Sequence, residues 1–130
     1  LTYPLVVGGN FTITFTSKAA VKNFLNNNNG ASHALTVSLV NPTTSGTGTF
    51  GNQVVTMKLN ILRDAALANQ TYTGIGANSA SPFYGLTIGQ ILADAHVVLG
   101  GGTSAYLASG NVPGALTSVL GDLIEMYHCQ

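Results

Sequence analysis

Charge is nearly missing from this sequence. Only 6% of its 130 residues are Asp, Glu, Lys or Arg, against roughly 25% in an average domain. Lys18, Lys22, Lys58 and Arg63 balance Asp64, Asp94, Asp122 and Glu125, and the formal net charge is zero. With no basic stripe there is little to displace counterions from nucleic acid, and with no polybasic patch little to hold an anionic bilayer. The same scarcity weakens the repulsion that keeps copies of a protein apart. The expected partners are therefore further copies of the chain, as homo-oligomer or polymer, with no nucleic acid and no membrane insertion. Cysteine is also scarce: Cys129 is the only one. That excludes an internal disulfide and any CxxC metal or redox motif. Cys129 is left as a free thiol or as one half of an intermolecular disulfide. No apolar run approaches the ~18–20 residues of a membrane-spanning helix. The chain opens on Leu1, with neither Met nor a basic-then-apolar leader, which reads as a mature exported form.

What fills the polar positions instead is Thr, Ser, Asn and Gly. Hydrophobic residues make up 45% of the chain, enough for one domain over residues 1–130 to bury a core without metal or disulfide. The first third reads as β-rich. Residues 2–7 and 10–16 flank Gly8-Gly9, a two-residue turn of the kind hairpins use. Phe11, Ile13 and Phe15 alternate with Thr12, Thr14 and Thr16, one face buried and one wet. Ser17 is placed to cap a short helix with Ala20, Val21, Phe24 and Leu25 on one side and Lys18 and Lys22 away from it. The Asn26–Asn29 run and Gly30 end that helix. Residues 34–40 read as a third strand, closed by Asn41-Pro42. Residues 53–67 fit both periods, and the Leu-Arg-Asp-Ala-Ala-Leu tail favours helix, with Val55, Leu59, Leu62 and Ala66 as its stripe. Thr87 and Gln90 form a capping box, with Leu86 and Ile91 placed as a staple. Ile88, Ile91, Leu92, Ala95 and Leu99 then share one helical face, and Gly100 stops the helix. Leu116, Val119, Leu120, Leu123 and Tyr127 define a last helix beginning near residues 111–113. The expected class is α+β: a small antiparallel sheet, hairpin plus third strand, covered by a C-terminal helical layer.

Catalytic chemistry finds few footholds. Gly46-Thr47-Gly48-Thr49-Phe50-Gly51 spells GxGxxG. A dinucleotide site also needs a following parallel strand ending in an acidic residue about 20 residues on, and Asp64 comes too early, so a flexible Gly/Thr loop is the expected reading. His33, His96 and His128 show no HxxxH or HExxH spacing, and read as surface or helix-end residues. Dispersed ligands such as Asp94, His96 and His128 are the sole hint of a zinc site. Glu125 and His128 make one Glu-x-x-His pair, whereas a di-iron bundle needs two such pairs and two more glutamates; Glu125 is the only Glu. GxSxG is absent, and His128 beside Cys129 is not a dyad, because adjacent helical side chains diverge. No enzyme, cofactor or metal is expected. Two N-x-[ST] triplets, at Asn10 and Asn69, are candidate glycosylation sites on an exported chain. The Thr12–Thr14–Thr16 face supplies one rank of threonines, too few for an ice-binding plane, and β-propensity explains it.

The segments GGNFTITFTSKAAVKNFL, ALTVSLVNPTTSGTGTFGNQVVTMKLNI, GLTIGQILADAHVVLGGG and ALTSVLGDLIEMY, in this order, resemble an uncharacterised module of large secreted surface proteins, chiefly of Bacteroidota. The resemblance spans nearly the whole chain on structural motifs. It departs at the end, where that module carries an Asn-Glu-Asn-Phe-like stretch and this chain reads Ile124-Glu125-Met126-Tyr127-His128. It implies an extracellular or cell-surface setting, a helix over residues 53–67 and no established activity. The expected role is a self-associating extracellular structural subunit of a filament, sheath or matrix. Residues 1–7 are a candidate contact between subunits by strand addition, through Leu1, Tyr3, Leu5 and Val7. The alternative is an adhesion module for carbohydrate or a surface protein, using Tyr3, Tyr72, Phe83, Tyr84 and Tyr106.

Overall fold

The computed structural model describes residues 2–108 and 110–127. Strands β1 (Leu5–Gly8) and β2 (Thr12–Phe15) form the N-terminal hairpin, helix α1 (Lys18–Asn27) follows, and β3 (Leu39–Val40) completes a sheet of order β1-β2-β3. After it come α2 (Thr49–Arg63), a 3-10 turn (Ala65–Asn69), α3 (Ile88–Leu99) and α4 (Val112–Met126). The architecture is α+β. Helix α3 lies against β1, and α2, α3 and α4 pack on one another as the helical layer. Leu5, Val7, Ile13 and Phe15 of the sheet share one buried core with Phe50, Val54, Ile91, Leu116 and Leu120 of the helices.

The hairpin register runs from Leu5 opposite Phe15 to Gly8 opposite Thr12. Its turn is therefore Gly9, Asn10 and Phe11, three residues rather than the Gly8-Gly9 pair. Gly8 is the last strand residue, at φ 112°, and a Cβ there would collide with the Phe11 carbonyl oxygen. Phe11 accordingly leaves the buried alternation and is 38% exposed.

The third strand differs from expectation in length and direction. It pairs parallel to β2, with Ile13 opposite Leu39 and Thr14 opposite Val40, so the sheet is mixed rather than wholly antiparallel. The connection from β2 passes through α1, and a crossover of a dozen or more residues returns the chain in the same direction. Only residues 39–40 of the expected 34–40 pair. Upstream, Leu35 gives its N–H to the Leu99 carbonyl at 2.8 Å and His33 gives its own to Thr47 at 3.1 Å, which draws this stretch off the sheet. Side chains extend the ladder instead. Thr12 N–H donates to Ser38 Oγ at 3.1 Å, and Thr16 N–H to Asn41 Oδ1 at 2.8 Å.

The helix signals are realised closely. Ser17 Oγ accepts from Ala20 N–H at 3.2 Å, and Phe24 stacks edge-on to Phe15 with centroids 5.1 Å apart. Thr87 Oγ1 accepts from Gln90 N–H at 3.1 Å while Gln90 Oε1 accepts from Thr87 N–H at 2.9 Å, both halves of the capping box. At the other end of α3, Gly101 and Gly102 donate back to Val98 and Val97, with Gly101 at φ 90°. This is a Schellman closure whose left-handed residue is Gly101, one past Gly100. Asn111 Oδ1 accepts from Gly114 N–H to start α4. Residues 53–67 are mostly helical, as α2, but the buried stripe is Phe50, Val54 and Met57 with Gly51 and Val55. Leu62 is 51% exposed and Ala66 belongs to the 3-10 turn. The break falls at Asp64, extended at φ −141° and ψ 94°, whose carboxylate accepts from Ala66 N–H. No helix among the described residues is long and apolar enough to cross a membrane.

Candidate functional site: the open face of the sheet

A two-layer fold covers one face of its sheet and leaves the other. Period-2 alternation sends Leu5, Val7, Ile13, Phe15 and Leu39 to the covered side and Val6, Thr14 and Val40 to the open one. The pairing places Val6 opposite Thr14 and Thr14 opposite Val40, so these three make one rank across all three strands. Val6 is 38% and Val40 67% exposed. Phe11, whose ring borders Gly101 at the end of α3, and Val37, of the same parity as Leu39, are exposed large hydrophobics outside that rank. No residue from 2 to 17 or from 34 to 57 is charged. The face is thus apolar, uncharged and lightly populated by threonine, a surface suited to burial rather than to chemistry.

The candidate contact residues divide here. Leu5 and Val7 are 2% and 1% exposed within their own subunit, Tyr3 is half-buried, and Leu1 lies outside the described residues. Val6, which alternation puts on the outer face, was not singled out by composition. Asn10 is exposed in the hairpin turn and Asn69 at the end of the 3-10 turn. Cys129 and His128 lie outside the described residues. Of the aromatic candidates, Tyr72 and Phe83 belong to the core, at 1% and 2% exposure. Each packs edge-on against a more exposed ring, Tyr84 and Tyr106 respectively.

His96, Asp94, Asp122 and Tyr72 are absorbed by structure. His96 sits in the last turn of α3, where the helix dipole favours a cation. Instead its Nδ1 accepts the Gly8 N–H at 3.0 Å, and burial, helped by the Lys58 charge, lowers its pKa to about 4. It is a neutral latch between helix and hairpin rather than a surface histidine. Nothing in its spacing signals this, because the partner is 88 residues away. Asp94, buried two residues earlier, faces elsewhere: it accepts from Ser104 Oγ at 2.5 Å and Ala105 N–H at 2.8 Å. Asp122 accepts from the Tyr72 hydroxyl at 2.7 Å. Burial foremost, and the Asp122 carboxylate, raise the Tyr72 pKa. Among the described residues no three His, Cys, Asp or Glu side chains are grouped to hold a metal.

The GxGxxG loop is tied down rather than flexible. Asn28, 1% exposed, donates from Nδ2 to the Gly48 carbonyl at 2.9 Å and to Thr47 Oγ1 at 3.2 Å. Its Oδ1 accepts from the Ser45 N–H and hydroxyl at 2.9 and 3.0 Å. A Cβ on Gly48 would collide with the carbonyl oxygens of Gly30 and Ala31. The first α2 amide, at Thr49, already donates to Gly30 at 3.1 Å. Glycine here permits the chain to approach itself, in the place where a phosphate-binding loop would approach its ligand.

Comparison with known proteins adds no relative: no family model, no curated protein and no solved structure matches this chain.

Proposed function

We propose that the chain is a self-associating structural subunit that works outside the cell, and that copies meet through the open face of the sheet. The observation that carries this reading is the exposed, uncharged Val6–Thr14–Val40 rank. Burying such apolar surface is favourable, by about 25 cal/mol per Å2, and a chain of zero net charge offers little repulsion against it. Sheets stack face to face about 10 Å apart, and only small side chains need to interdigitate. The exposed sequons at Asn10 and Asn69 suit an exported setting, as does the resemblance to secreted surface modules. An adhesion role draws less support, since Tyr72 and Phe83 are committed to the core.

Sedimentation velocity over a range of concentrations, with electron microscopy of the concentrated protein, tests the proposal. Ordered polymers or concentration-dependent oligomers are expected. The double variant Val6→Lys/Val40→Lys, at two exposed positions, should stay monomeric with an unchanged circular dichroism spectrum. A monodisperse wild-type monomer at every concentration would overturn the reading.

A further inference from the structure

We infer that the groove between α1 and α2 binds a small anionic amphiphile, an apolar chain ending in one carboxylate. The groove is an open cleft of about 810 Å3, within the roughly 300–1,000 Å3 of small-molecule sites. Its apolar lining comes from Val21 and Leu25 of α1 and Leu59 and Leu62 of α2. Lys18 and Lys22, expected to lie away from Val21 and Leu25, share the cleft with them, and Arg63 also lines it. Three of the chain's four cations therefore gather on this one cleft, and none of its four carboxylates lines it. Asp64 holds the 3-10 turn, Asp94 the loop after α3, and Asp122 the Tyr72 hydroxyl. Lys58, the remaining cation, acts on His96.

The placing of the lysines runs against helix stability. Lys18 is the first residue of α1, at the end where the dipole disfavours a positive charge. Lys22 follows at i+4, a like-charge pair on one helix face. A departure from local preference without structural return is the mark of a functional position, and an anion held between the two ammonium groups relieves both conflicts. An acyl carboxylate satisfies the whole cleft: its head meets Lys18 and Lys22, and its chain covers the leucine-lined wall. The cleft shares no residue with the Val6–Thr14–Val40 rank, so its occupancy stands or falls independently of self-association.

Isothermal titration calorimetry with sodium decanoate, decyltrimethylammonium and acetate provides the test. Saturable binding of one decanoate per chain is expected, with the cation of equal chain length and acetate each at least tenfold weaker. Lys18→Gln/Lys22→Gln should lower decanoate affinity about tenfold, the size expected from two exposed charge pairs, with the melting temperature preserved. Leu62→Asp, at a half-exposed position, should weaken binding from the apolar side. Equal affinity for both head groups, unchanged affinity in both variants, absence of saturable binding, or preference for an acidic peptide over decanoate would each overturn the assignment.

Discussion

The Nδ1 atom of His96 stands 3.0 Å from the backbone nitrogen of Gly8 and accepts its hydrogen. One side chain on α3 thereby satisfies a backbone donor at the end of β1. An outer strand with open N–H groups is a template for unwanted pairing, and at Gly8 the protein closes that opening with a neutral imidazole. Protonated, the same nitrogen would be a donor facing a donor.

Stability should consequently fall as the solution is acidified through a defined window. In the unfolded chain His96 titrates near the ordinary 6.5, and in the fold near 4. Between these values the unfolded state binds the extra proton, so stability rises with pH there. It is fully present above about 6.5 and lost progressively down to about 4, by roughly 3 kcal/mol at most. His96→Ala should remove most of this slope and cost about 1–3 kcal/mol at neutral pH for the orphaned Gly8 N–H. Urea melts of both proteins at pH 4, 5, 6 and 7.5 measure it. An unchanged slope in the variant would show that the latch does not govern acid sensitivity.

Asn28 makes a sharper case for a polar residue that cannot be replaced. Its amide serves Thr47, Gly48 and Ser45 at once, with Thr47 and Gly48 buried and Ser45 half-buried. Asn28→Ala should cost about 2–3 kcal/mol by stranding several of these groups. Asn28→Asp should be worse at neutral pH, since it turns an oxygen toward the Gly48 carbonyl and brings in a buried charge. Gly48→Ala should destabilise strongly through collision with residues 30–31, whereas Gly46→Ala, with open space around it, should cost only about 1–2 kcal/mol of left-handed backbone strain. Denaturant midpoints at constant m-value rank the four variants.

Those two residues also mark the limits of what the sequence discloses. The capping box at Thr87, the Ser17 cap and the stripe from Ile88 to Leu99 rest on spacings of a few residues, which helical geometry reads directly. His96, Asn28 and the parallel sense of β3 depend on partners 17 to 88 residues away, and local periodicity carries no record of them. The period in α2 misleads at two points: Leu62 is still helical but opens onto the α1–α2 cleft, and Ala66 lies past Asp64, where the backbone leaves the helix. The α1–α2 cleft was invisible for a related reason. Lys18, Lys22 and Arg63 look like scattered surface charges until the fold sets α1 opposite α2.

Tyr72 offers a test of the loop between the 3-10 turn and α3. Its hydroxyl donates to Asp122 and accepts the Asn78 N–H at 2.9 Å, fastening the loop to α4. Tyr72→Phe should cost about 1–2 kcal/mol, since a carboxylate and an amide lose their partner. The raised phenol pKa means that the unfolded chain releases its proton first, so stability should decline above about pH 10. The difference between ultraviolet titrations of wild type and variant should place the Tyr72 ionisation above the ordinary value near 10. Ionisation of Tyr72 at or below that value would contradict the burial and the hydrogen bond together.

The N-terminal strand is both candidate contact and core element, and its removal separates the roles. Leu5 and Val7 are almost completely buried and Val6 is not. Each buried aliphatic is worth about 1.5–3 kcal/mol, and deletion of residues 1–7 also strips β2 of its antiparallel neighbour. A domain whose whole stability is about 5–15 kcal/mol loses a large share of it. The truncated chain is expected to unfold or to melt far below the wild type. Val6→Lys, by contrast, keeps the strand in place and alters only its outward side chain, so the fold should survive while self-association weakens. Circular dichroism and sedimentation velocity on the two variants distinguish the contributions. A truncated chain that remains folded and monomeric would instead make residues 1–7 an arm given to a neighbouring subunit.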